Sequence, residues 1–76
     1  MPHITVKLAT GRTEDQKHDL AKHLAEALMN TLGTSEDAIS VAIEDVPQAE
    51  WFTQVYDPEI APNLDHLYKK PGYKRP

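Results

Sequence analysis

The sequence predicts an α/β (α+β) fold: one βαβ unit with two parallel strands and one long helix, followed by a short C-terminal helix. Three observations predict it. The stretches "PHITVKL" and "AISVAIEDV" alternate apolar and polar residues with a period of two, the pattern of a half-buried strand. Between them, leucine recurs at every fourth position, which gives a helix one apolar stripe. The chain has 76 residues, room for a single domain spanning 1–76 and near the lower limit for folding alone.

The elements follow in order. In the first strand Ile4, Val6 and Leu8 alternate with His3, Thr5 and Lys7, and "ATGR" turns the chain with Gly11 as its flexible point. Thr13 and Gln16 have the spacing of a capping box, and Glu14 and Asp15 sit where the helix dipole favours negative charge. Leu20, Leu24, Leu28 and Leu32 form the stripe, flanked by Ala21, Ala25 and Ala27, and Gly33 is placed to end the helix in a left-handed conformation. At about 1.5 Å per residue the helix Glu14 to Leu32 is about 28 Å long. In the second strand Ile39, Val41 and Ile43 share one face, with Ser40, Ala42 and Glu44 on the other. Strand, helix, strand implies parallel strands and a right-handed crossover. "PQAEWF" fits a loop or a single helical turn. "DPEIAPNLDHLYKK" reads as the second helix. Either Asp57 caps it with Pro58 at its first position, or it runs from Pro62 to Lys69 after a short turn, since an interior Pro62 disrupts the ladder. Ile60, Leu64, Leu67 and Tyr68 mark its buried side, and "PGYKRP" stops it.

A two-stranded parallel sheet cannot cover both faces and both edges with one long helix. Association is the simplest remedy, because two βαβ units pair into a four-stranded sheet with helices on one face. The expectation is a homo-oligomer, at minimum a homodimer; the alternative is a monomer whose C-terminal helix covers the second face. At 39 % hydrophobic residues the chain can build only a thin core. Its net charge of −4 argues against a nucleic-acid partner. It has no cysteine for disulfides or thiolate metal sites. No apolar run approaches the roughly 20 residues of a membrane span, and no secretory leader is evident. A cytoplasmic protein with no membrane partner is expected.

Few residues are candidates for chemistry. Removal of Met1 leaves Pro2 as a free secondary amine; with Met1 attached, the nitrogen has no basicity. The proline leads straight into a strand, so its amine is held rigidly. Burial and a nearby cation both lower an amine's pKa, towards what a general base needs. Arg12, at the start of the helix, can bind a carboxylate through two parallel hydrogen bonds. Trp51, the single tryptophan, can wall a pocket. Each has a plainer reading: a strand's second residue, a solvated arginine, a core filler. Of the four histidines, His18 and His23 are five apart, off a shared helical face, and His3 and His66 show no ligand pattern, so no metal site is expected. "TGRT" lacks the glycines and lysine of a phosphate-binding loop.

Taken together, the Met-Pro start into a strand, "GR" before a capped helix, and the second strand followed by Trp51 resemble the 4-oxalocrotonate tautomerase superfamily. "EIAPNLDHLYKKPGY" extends the likeness to its longer, dimeric bacterial phenylpyruvate-type branch. The resemblance implies a cofactor-independent enol–keto tautomerase of 2-oxo acids. In it Pro2 shuttles the proton, Arg12 binds the substrate carboxylate, and Trp51 keeps the site apolar. Hexameric relatives carry a second arginine in the second strand; Ser40 stands there in this chain, which points to a monocarboxylate such as phenylenolpyruvate. The C-terminal extension favours a homodimer over a hexamer. Two alternatives share the scaffold: a hydratase-type dehalogenase or decarboxylase using the same proline, and a non-catalytic oligomeric binding module.

Overall fold

All 76 residues are described in the computed structural model. Strands β1 (His3–Ala9) and β2 (Ser40–Val46) pair in parallel, from His3 opposite Ser40 to Ala9 opposite Val46. The ladder runs one step past each end: the Ser40 amide donates to the Pro2 carbonyl (3.3 Å), and the Thr10 amide to the Val46 carbonyl (3.0 Å). Between the strands lies helix α1 (Glu14–Leu32). Its capping box is complete, with the Gln16 amide donating to Thr13 Oγ1 (3.1 Å) and the Thr13 amide to Gln16 Oε1 (2.9 Å). Gly33 ends it at φ 70°, a left-handed conformation that costs glycine little, and its amide donates to Met29.

The alternation of the strands sorts their two faces. Leu8 and Leu20 of α1 line one crevice and Val41, Ile43 and Ala21 another, and Lys17 reaches down from α1 to Asp45. His3, Thr5, Lys7 and Ala9 alternate to the other face, the side met by the C-terminal segment. There Lys7 is ion-paired to Glu59. The βαβ arrangement is therefore as the periodicities predict.

The C-terminal helical region begins earlier than either predicted start. A 3-10 turn, Gln48–Glu50, leads into a π-helix, Phe52–Ile60, and a 3-10 segment, Ala61–His66. Asp57 and Pro58 lie inside it instead of starting it. An interior proline in an α-helix clashes with the carbonyl four residues back; the wider π-turn draws that carbonyl aside. Pro62 has no amide hydrogen to offer the Glu59 carbonyl, and the Asn63 side-chain amide donates there instead (3.0 Å). The helix ends at His66, short of Lys69. Leu67 is extended, so Tyr68 loses its place beside Leu64 on the apolar side and is fully exposed, contrary to its predicted burial. Ile60, Leu64 and Leu67 are half-buried.

Only Val46, Val55 and Tyr56 are buried, and no residue of the 19-residue helix α1 is. The radius of gyration is 14.1 Å, whereas a folded domain of this length averages about 11 Å. The surface is 5887 Å², against about 4,700 Å² for a monomer of this mass. The chain is a slab 41 × 31 × 18 Å with roughly 1,200 Å² more surface than a self-sufficient domain exposes.

Candidate active site

A cleft of about 610 Å³ opens at the C-terminal end of β1. Leu8 and Ala9 of the strand form its floor, and Trp51, Phe52 and Tyr73 its aromatic wall. Three cations line it (Lys7, Arg12 and Lys74) and no carboxylate does, although the chain carries a net charge of −4. Their states differ. Glu59 pairs with Lys7, and that hydrogen bond raises the lysine's pKa above its ordinary value. Arg12 has no acidic partner within ion-pairing distance, nor has Lys74; the ion pairs of the molecule lie elsewhere.

Local sequence places each group. Gly11, at φ 135°, takes a conformation that other residues rarely adopt, and this tight turn between β1 and α1 presents Arg12 at the cleft. Trp51 is the hinge residue between the 3-10 turn and the π-helix. Its indole Nε1 donates to the Tyr73 hydroxyl (2.9 Å). Tyr73 in turn stands edge-on to Phe52, at 6.1 Å and 89°, and 5.8 Å from Tyr56. Arg75 completes the brace, lying 5.6 Å above the Phe52 ring and 3.6 Å from Asp57. Residues 71–76 thus fold back as a strap that holds the tryptophan wall in place.

Of the four site residues that the sequence reading singles out, the structure joins them in two pairs. Arg12 and Trp51 share the cleft. Pro2 and Ser40 lie at the opposite end of the sheet, joined through the backbone hydrogen bond of the ladder. The Ser40 hydroxyl also shares a hydrogen bond with Nδ1 of His3 (2.6 Å), whose Nε2 meets Thr5 Oγ1 (3.2 Å). Pro2 and the cleft stand about 20 Å apart along β1, at ~3.3 Å per residue. Pro2 is half-buried, and Met1 before it is fully exposed.

Lys7, Tyr73 and Lys74 were not anticipated at this site. "PGYKRP" signals the end of a helix, and nothing in its local pattern says that the chain turns back onto an aromatic cluster. The single available hint was an aromatic residue just beyond a Pro-Gly turn.

Comparison with known proteins places this architecture. A family model described as "Tautomerase enzyme" matches residues 2–57. A probable tautomerase of Xylella fastidiosa is 49% identical over 73 residues, covering 96% of this chain and 89% of that one. Tautomerase PptA of Pectobacterium carotovorum is 45% identical over 74 residues, covering 96% and 97%. Among solved structures, TomN, a 4-oxalocrotonate tautomerase homologue of the tomaymycin biosynthetic pathway, matches with a TM-score of 0.66 and 37% identity, over 67% of this chain and 78% of that one. With more than half its length matched by the family model and its βαβ unit matched in space, the chain belongs to the Tautomerase family and is an isomerase with the 4-oxalocrotonate tautomerase fold.

Proposed function

We propose that the enzyme interconverts the enol and keto forms of 2-oxo monocarboxylates such as phenylenolpyruvate, at sites shared by two copies of the chain in a cytoplasmic homodimer. The observation supporting this is the unpaired Arg12 guanidinium beside the Trp51 wall, in a cleft without a carboxylate. A guanidinium grips a carboxylate through two parallel hydrogen bonds, and the aromatic wall suits an apolar ring.

The base comes from the other copy. In a two-stranded sheet β1 is an edge, and a twofold axis beside it sets two β1 strands antiparallel. The amino-terminal end of one then lies against the Arg12 end of the other. The pairing yields a four-stranded sheet, removes two exposed edges, and accounts for the surplus surface. That surplus exceeds the roughly 800 Å² each partner buries in a standard stable interface.

Once Met1 is removed, Pro2 presents a secondary amine. Apolar walls and the nearby Arg12 charge both disfavour its protonated form, lowering its pKa towards the value a base needs near neutral pH. The amine accepts the enol hydroxyl proton; the C–O bond becomes a carbonyl as the C=C pair turns to carbon 3. The prolyl ammonium delivers the proton to that carbon and returns to the free amine. The proton taken is the proton given back, so no electron carrier enters. Ser40 flanks the same end. If His3 donates from Nδ1 to Ser40 Oγ, and Nε2 accepts from Thr5, the serine keeps its own proton to donate to the substrate's oxo group.

The test is Pro2→Ala in protein whose intact mass shows Met1 removed. General acid–base catalysis is worth about 10²–10⁴-fold, and a loss of that order in kcat/KM for phenylenolpyruvate is expected, with the circular dichroism spectrum unchanged. Full turnover by the variant contradicts the proposal.

A further inference from the structure

Two cations in the cleft stay without a carboxylate partner, and they come from opposite ends of the sequence. Arg12 is fixed by the β1–α1 turn. Lys74 is delivered by the C-terminal strap, between Tyr73, held by the Trp51 indole, and Arg75, held on Phe52 and Asp57. Both neighbours of Lys74 are therefore tethered, which fixes its backbone at the mouth of the cleft while its side chain makes no hydrogen bond or ion pair within the chain. A braced lysine facing a cleft that holds a second free cation and no acid is placed for an anion. In the apolar surroundings of Trp51, Phe52 and Tyr73, charge-assisted hydrogen bonds to that anion gain strength.

We infer that Lys74 is a substrate-positioning residue: with Arg12 it forms a two-cation clamp on the substrate carboxylate, and the strap carrying it is part of the binding site. The inference rests on the assignment of the cleft as the carboxylate site. It explains why the strap is braced by aromatic contacts as well as an ion pair, since a mobile tail would lose the lysine's alignment.

The experiment compares kcat/KM for phenylenolpyruvate with that for its methyl ester in the intact enzyme, Lys74→Met, Lys74→Arg and Arg12→Ala. Lys74→Met is expected to lower the acid-to-ester ratio about tenfold, with the loss falling on KM, and Lys74→Arg to restore most of it. A ratio unchanged by Lys74→Met but reduced by Arg12→Ala overturns the lysine's role and leaves the carboxylate site standing. A ratio unchanged by both overturns the site as well. A loss in Lys74→Met that falls equally on acid and ester also overturns the clamp, since it marks a structural effect of the strap.

Discussion

The two ends of β1 are built differently. At the Arg12 end the chain has a floor, an aromatic wall, a strap and unneutralised positive charge, but no base. At the Pro2 end it has a nitrogen able to become a base and a short polar network of His3, Ser40 and Thr5, but no enclosing wall. On the proposed function one end would bind and the other react, and some 20 Å of strand keeps them apart. A small chain with three buried residues has too little core to build a closed pocket. A site split in the proposed way would let one association event complete the sheet and the pocket together.

This contrast can be broken at either end, with unequal effects. The largest loss belongs to Pro2→Ala, which removes the reacting group and leaves binding intact. Arg12→Ala comes next: it removes a charge-assisted contact of about 2 kcal/mol, so KM should rise by roughly thirtyfold, and the pH profile of the proline should move to higher pH because a cation that disfavours its protonated form is gone. The smallest effect is on stability at high pH. Hydrogen bonds to Glu59 and Asp45 raise the pKa of Lys7 and Lys17 above the ordinary 10.5. The stabilisation is therefore complete below that pH and is lost as pH rises through the raised values. Both side chains meet solvent, so the effect is modest. A thermal-unfolding series from pH 7 to pH 11 should fall less steeply for Lys7→Met than for the parent.

Much of the fold was legible because its signals are local. The period-two strands, the reciprocal Thr13 and Gln16 cap and the left-handed Gly33 each depend on residues within a few positions. The C-terminal region was harder to read, because Pro58 and Pro62 mark boundaries in an α-helix, whereas a π-turn admits one and an asparagine side chain compensates for the other. Tyr73 and Lys74 were invisible for another reason: their place depends on contact with Trp51, 22 positions away. Pro2, Arg12 and Trp51 stand out by their own chemistry and Ser40 by the family pattern, while their separation into two pairs required the register of the sheet.

On the proposed function each site draws its base from one copy and its carboxylate clamp from the other. This is tested most directly by mixing Pro2→Ala and Arg12→Ala subunits after dissociation and reassociation, then measuring phenylenolpyruvate ketonisation. In a mixed dimer one site recovers an intact Pro2 together with an intact Arg12. Random pairing of equal amounts then restores about one quarter of the parent activity. Activity no greater than the mean of the two separate variants, with mixed dimers shown to have formed, would contradict the shared site.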